Sequence, residues 1–184
     1  MSRAEKNCMK LTETKLEGVY LIELTPHADE RGFYKRLWGK DELESLHLNS
    51  ELNNVGLSYN KKRGTVRGMH YQAEPFAEIK LVQCTRGKIF DVVLDLRKDS
   101  ETFGEWTSAE LSTENNKAFY IPKGLAHGFQ TLDDNSEVLY TISATYDLNS
   151  SRGVCWNDPQ FAIKFPLEIS CINERDASYP DFEV

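Results

Sequence analysis

Between residues 18 and 145 the chain falls into short runs rich in β-branched and aromatic residues, each stopped by Gly, Pro, Asn or Asp. Helical patterning is confined to one stretch. Short strands at this spacing have to close into a β-sandwich or barrel, because an open sheet would leave unpaired edges and an apolar face in water. Residues 18–24 form the first run, stopped at Pro26. Residues 27–32 are a charged turn, and 33–38 a second strand. Residues 41–46 predict a short helix that Asp41 can cap. Residues 53–67 are polar and glycine-punctuated, a strand and loop. Residues 79–83 and 88–96 predict a hairpin across Arg86-Gly87. Residues 106–111 and 117–121 continue the series. In 137–145, Val138, Tyr140 and Ile142 alternate with Leu139, Thr141 and Ser143, as on a strand. The expected fold is all-β, a jelly-roll barrel or sandwich with a few short peripheral helices. One domain spans residues 1–184, with 1–10 flexible and an irregular tail, 165–184, wrapping the barrel.

A chain of 184 residues can bury a sizeable core in one domain. No apolar run is long enough to span a bilayer. The first ten residues lack the apolar core of a secretion signal. Cys8, Cys84, Cys155 and Cys171 show no CxxC spacing and read as reduced buried thiols, so a cytoplasmic location is expected. A net charge of −7 argues against nucleic-acid binding, which needs a basic surface. An anionic small molecule needs only local arginines.

The chemistry-bearing residues gather in a few motifs. Arg67-Gly68-Met69-His70-Tyr71-Gln72 is followed by Lys80. Alternation turns His70 away from Met69 and Tyr71, and a kink at Gly68 would bring Arg67 to the face of His70. An imidazole titrates near neutral pH, so His70 is a candidate general base. A lone histidine is more often structural; Arg67 and Lys80 nearby shift the balance to a site. Pro122-x-Gly124-x-x-His127 resembles the second motif of cupins, whose histidine points into the barrel. Their first motif supplies metal ligands, but here it reads His70-Tyr71-Gln72, and Lys80 would repel a cation held by Glu74 or Glu78. The expected site is metal-free. Arg31, in Asp29-Glu30-Arg31-Gly32-Phe33, is shaped for a phosphate but could equally be a solvated turn. Tyr140 and Tyr146, six apart on one strand pattern, share a face. Arg175-Asp176 would by itself read as solvated charge.

Taken in order, Asp29-Glu30-Arg31-Gly32-Phe33, Val66-Arg67-Gly68-Met69-His70-Tyr71-Gln72, Lys80-Leu81-Val82, Asp91-Val92-Val93-Leu94-Asp95-Leu96-Arg97, Ile121-Pro122-x-Gly124-x-Ala126-His127-Gly128-Phe129, Leu139-Tyr140, Trp156-Asn157-Asp158 and Glu174-Arg175-Asp176 resemble the dTDP-4-dehydrorhamnose 3,5-epimerase family from about Gly18 to Pro180. The resemblance implies a cupin-like jelly roll without cofactor, a homodimer, and a nucleotide-diphospho-4-keto-6-deoxyhexose as substrate. It makes His70 the base and Asp176 its partner. Lys80 shelters the oxyanion at O4 with help from His127, and Tyr140 is the proton donor. Arg31 and Arg67 are the diphosphate ligands. Phe33, Gln72, Tyr146 and Arg175 complete the substrate-binding set. In the dimer, Arg31 or Phe33 could reach the neighbour's pocket. Three departures leave the nucleobase open: Arg36 where a glutamate is frequent, Val55-Gly56-Leu57 where a Gln-Asp-Asn-like stretch is usual, and Ser151 where a glutamate is common. A 3- or 5-monoepimerase, an enzyme of a CDP-sugar, a non-catalytic sugar-nucleotide-binding module and a metal-dependent cupin remain as alternatives.

Overall fold

The computed structural model describes residues 9–183. Residues 1–8, most of the segment expected to be flexible, lie outside the described residues, as does Cys8. Met9 and Lys10 open the first strand, and Met9 is buried.

In chain order the strands are β1 (Met9–Glu13), β2 (Tyr20–Leu24), β3 (His27–Asp29), β4 (Gly32–Tyr34), β5 (Asn54–Asn60), β6 (Val66–Gln72), β7 (Lys80–Arg86), β8 (Lys88–Asp95), β9 (Trp106–Ser112), β10 (Lys117–Ile121), β11 (Leu125–Thr131), β12 (Ser136–Ile142) and β13 (Ser151–Gly153). The helices are α1 (Lys40–Ser45) and α2 (Glu174–Ala177). A six-stranded sheet runs β1-β2-β10-β7-β12-β5, and a five-stranded sheet runs β13-β6-β11-β8-β9. All of these pairings are antiparallel. The two sheets face each other as a jelly-roll sandwich, the expected all-β class.

Alternation sorts the side chains into three apolar layers. Val82, Cys84, Ile89, Val93, Phe119, Phe129 and Val138 fill the space between the sheets. Met69, Val92, Leu94, Ala126 and Phe161 cover the outer face of the five-stranded sheet, with Phe165 and Phe182 of the tail packed on them. Ile22, Leu24, Leu81 and Ala118 back the six-stranded sheet, and Leu43 of α1 lies over them.

Several local expectations change. The hairpin across Arg86-Gly87 does not form: β7 pairs with β10 and β12, whereas β8 pairs with β11 and β9. Gly87, at φ +70°, turns the chain from one sheet into the other. Both strands are buried, so each takes a place inside its own sheet. The second strand stops at Tyr34 rather than residue 38, and its partner is β3, within the segment read as a turn. Leu37 and Trp38 leave it to pack beside α1. Gly39, not Asp41, occupies the N-cap; Asp41 sits in the first turn, where a carboxylate favours the helix dipole. β12 ends at Ile142, three residues early. β11, which no run in the sequence announced, is fully buried and central in its sheet. Of the cysteines, Cys84 is buried, Cys155 half-buried and Cys171 exposed, all three as free thiols.

Candidate active site

The inward face of the sandwich changes from apolar to polar at one end. On β7 it reads Lys80, Val82, Cys84; on β11, Leu125, His127, Phe129; on β12, Val138, Tyr140, Ile142. On β8, Asp91 lies between Ile89 and Val93. The polar members surround a cavity of about 300 Å³, lined among others by Arg67, His70, Glu78, Lys80, His127, Tyr140, Tyr146 and Arg175.

A bulge brings Arg67 and His70 to one face. His70 lies opposite His127, but Arg67 lies opposite Phe129, so β6 has one residue more than β11 between these points. Gly68 occupies the kink at φ +126°, a conformation reserved for glycine, and a Cβ there would collide with the Gly128 backbone.

The tail supplies the partner of His70. The side-chain amide of buried Gln130 holds the Leu167 backbone by two hydrogen bonds of 2.9 Å, and Val66 N–H donates to the Cys171 carbonyl at 2.8 Å. Asn173 then caps α2 by accepting from Asp176 N–H at 2.7 Å. This places the fully buried Asp176 carboxylate behind the imidazole. His70 Nε2–H donates to Asp176 Oδ1 at 2.8 Å, and Gly68 N–H donates to Oδ2 at 3.1 Å. Burial pushes the Asp176 carboxyl up. The hydrogen bond and charge of His70, the Gly68 N–H and Arg175 outweigh that and hold it below its ordinary value. An ionised Asp176 fixes the proton on Nε2, which leaves Nδ1 as the basic nitrogen. Arg175 comes within 3.4 Å of Nε2 and 3.5 Å of Asp176, and its guanidinium lies over the Tyr179 ring, 5.9 Å from the centroid.

The opposite sheet brings Lys80 and Tyr140. Lys80 Nζ donates to Glu78 Oε1 at 2.8 Å and to the His70 carbonyl at 3.3 Å. Burial pushes the Tyr140 phenol up, against a hydrogen bond with Ser58, and Asp91 adds to the rise; Arg67 works the other way. The phenol is therefore protonated at neutral pH, the state a proton donor needs. The His127 ring meets Tyr140 edge-on with centroids 6.1 Å apart, and its Nε2–H donates to both oxygens of Asp91, at 3.0 and 2.9 Å. Burial pushes Asp91 up, against the pull of His127 and of Lys80.

Of the residues singled out by sequence, His70, Lys80, Tyr140, Arg67, His127, Tyr146 and Arg175 line one cavity, with Asp176 bonded to His70. Tyr146 arrives from the loop after β12, not from the strand. Gln72 does not line it: its amide donates to Glu78, the Phe76 carbonyl and the Thr145 carbonyl, and its oxygen accepts from Asp147 N–H. Arg31 and Phe33 lie on the exposed β3–β4 hairpin, outside this cavity, with Arg31 paired to Asp29. Asp91, Asn54 and Ser58 were not picked out. Alternation could have found them: Asp91 shares the inward parity of Val93, and Asn54 and Ser58 point inward while Val55 and Leu57 are exposed. Among the described residues no three His, Cys, Asp or Glu side chains are grouped to hold a metal ion. The arrangement can take a proton at His70, steady negative charge at Lys80 and give a proton from Tyr140. Arg67, whose Nε–H donates to neutral Asn60 at 2.7 Å, has no ion-pair partner among the described residues and can meet an anion.

A family model described as dTDP-4-dehydrorhamnose 3,5-epimerase matches residues 13–183. The dTDP-4-dehydrorhamnose 3,5-epimerase of Shigella flexneri is 35% identical over 175 residues, 95% of this chain and 96% of the relative. A crystal structure of the Bacillus anthracis enzyme of that name, with TDP and PPi bound, superposes with a TM-score of 0.91 at 37% identity, covering 95% of this chain and 99% of the other. A Legionella pneumophila dTDP-6-deoxy-D-glucose-3,5-epimerase, in complex with dTDP-4-keto-L-rhamnose, gives 0.88 at 32% identity, covering 96% and 100%. With near full-length matches in sequence and in shape, this chain belongs to the dTDP-4-dehydrorhamnose 3,5-epimerase family.

Proposed function

We propose that the protein is a cofactor-independent isomerase that inverts C3 and C5 of a dTDP-4-keto-6-deoxyhexose. The C4 ketone acidifies the hydrogens on both neighbouring carbons. His70 Nδ1 takes one of them, and the imidazolium that results is steadied by ionised Asp176. Negative charge moves to O4, where the Lys80 ammonium meets it, beside His127; charge placed where charge develops is usually the largest contribution to rate. Tyr140 returns a proton from the other side. His70 stands on the five-stranded sheet and Tyr140 on the six-stranded sheet, so base and acid approach the sugar from facing walls. Arg67 and Arg175 receive the diphosphate. The observation that carries the reading is a histidine–carboxylate pair, an ammonium and a protonated phenol around one cavity. A module that only binds sugar nucleotides has no use for that set.

The test is deuterium uptake from D2O at C3 and C5, followed by NMR, with dTDP, CDP, GDP and UDP forms of the keto sugar. Uptake at both carbons from the dTDP sugar is the expected result. Uptake at one carbon assigns a monoepimerase, faster turnover of another nucleotide reassigns the base, and no uptake with any of them removes the enzyme reading.

The same proposal includes a homodimer in the cytoplasm. Phe33, Tyr34, Val55 and Leu57 are each more than half exposed, on the β3–β4 hairpin and the edge strand β5. A second copy would cover them and could receive Arg31 and Phe33 at its own cavity. Light scattering that gives a monomer mass at micromolar concentration removes the dimer.

A further inference from the structure

Among the described residues that line the cavity, Glu78 is the one acid, and it faces a lysine. It precedes Lys80 by two residues, so the two share a face at the entry to β7. Both side chains are only 10% exposed, and the ion pair is 2.8 Å long. An ammonium in so dry a place is costly without a partner of opposite charge.

The carboxylate is itself fixed. Glu78 Oε2 accepts from Gln72 Nε2 at 2.9 Å. Gln72 is buried and tied to three backbone points: the Phe76 carbonyl at 3.0 Å, the Thr145 carbonyl at 3.2 Å and Asp147 N–H at 2.7 Å. One oxygen of Glu78 is thus anchored to two loops, and the other holds Lys80. An ammonium carries three donors. Glu78 takes one and the His70 carbonyl a second, at 3.3 Å, leaving one N–H for the cavity.

We propose that Glu78 is a positioning residue: it holds the Lys80 ammonium in place and turns its third N–H toward the oxygen on which negative charge develops. This rests on the epimerase reading above. The other groups around Lys80 are His70 and Arg67 on β6, Asp91 on β8, His127 on β11, Tyr140 on β12 and Arg175 in the tail. Asp91 is engaged by His127, Arg67 and Arg175 are cations, and so Glu78 is the carboxylate that Lys80 depends on.

The experiment compares Glu78→Gln, Glu78→Asp and the wild type in the deuterium-uptake assay, with kcat and KM measured separately and melting temperature as a check on folding. Glu78→Gln keeps the size and an acceptor oxygen but removes the charge. Its kcat is expected to fall roughly tenfold or more, with KM changed less than about threefold, because the ammonium then meets the developing charge from a poorer position. Glu78→Asp keeps the charge but loses reach, so it recovers part of the lost kcat. A merely structural Glu78 gives a lower melting point with normal turnover per folded site, or a loss that falls on KM as much as on kcat; either result overturns the proposal. Wild-type protein that takes up no deuterium removes the epimerase reading, and this role with it. An active wild type beside a Glu78→Gln protein of unchanged kcat removes the role alone.

Discussion

Asp176→Asn is the most informative single perturbation. The carboxylate accepts two hydrogen bonds, from His70 Nε2–H at 2.8 Å and from Gly68 N–H at 3.1 Å, and it is fully buried. An asparagine offers one acceptor and one donor in the same volume. The Gly68 N–H cannot become an acceptor, so the amide oxygen has to turn to Gly68 and the NH2 to His70. Nε2 must then accept, and the ring proton moves to Nδ1, the nitrogen that should take the substrate's hydrogen. Loss of a correctly protonated base is worth about 10²- to 10⁴-fold in rate. The cost in stability is smaller: two charge-assisted hydrogen bonds become neutral ones, about 1–2 kcal/mol, partly offset because a buried charge disappears. In a chain of this size that lowers the melting temperature by roughly 2–8 °C. The assay is deuterium uptake at C3 and C5 beside a melting curve. A folded Asp176→Asn protein exchanging at the wild-type rate would refute the tautomer argument.

Other consequences can be measured independently. Tyr140→Phe removes only the hydroxyl, so substrate hydrogen should still exchange at a reduced rate while inverted product falls by about 10²-fold or more, read by NMR. Asp95 bears on acid stability: burial acts to raise its carboxyl, but Arg97, Ser100 and Thr102 bring it down to about 2 from 3.8. A depressed folded value means the contribution, about 1–2 kcal/mol after allowing for solvent screening, is present above about pH 4 and disappears as pH falls toward about 2. Asp95→Asn should therefore lower the urea midpoint near neutral pH and match the wild type near pH ~2. At Gly153 a Cβ would collide with the Tyr179 ring, which stands edge-on to His70 at 5.9 Å. Gly153→Ala should push the tail off β13 and cut exchange more than tenfold at unchanged secondary structure, by circular dichroism and the uptake assay.

What the sequence made legible follows from how local each signal is. Val138, Tyr140 and Ile142 carry their own orientation in a period of two, and the inward aim of Tyr140 could be read directly. Gly68 between Arg67 and His70 announced a kink, and the bulge it forms brings those two together. Arg86-Gly87 announced a turn equally clearly, but a turn does not say whether the next strand returns to the same sheet. Here it crosses to the other one, a choice made by the distant partners β10, β12, β11 and β9. Gly128 lies inside the central strand β11, where Met69 and the β6 backbone press against it and leave no room for a side chain.

The tail marks where pattern reading ends. No periodicity in residues 165–183 distinguishes Asp176 from a solvated charge, and only the resemblance to a family singled it out. The structure supplies the missing reason. Gln130 from β11 clamps Leu167, Asn173 caps the following turn, and the carboxylate three residues on is delivered behind His70. The Gln130 and His70 contacts join residues far apart in the chain and leave no local trace, and the Asn173 cap, though local, does not say what the turn packs against. The proposed base owes its tautomer to a carboxylate carried by the tail. Asn173→Ala tests that dependence. Losing the cap costs about 1 kcal/mol, far too little to unfold the sandwich. If α2 holds Asp176 in register, exchange should nevertheless slow several-fold, and the deficit should grow with temperature as the turn frays. A variant that loses melting temperature but keeps the wild-type exchange rate would show that Gly68 and His70 hold the carboxylate without the cap.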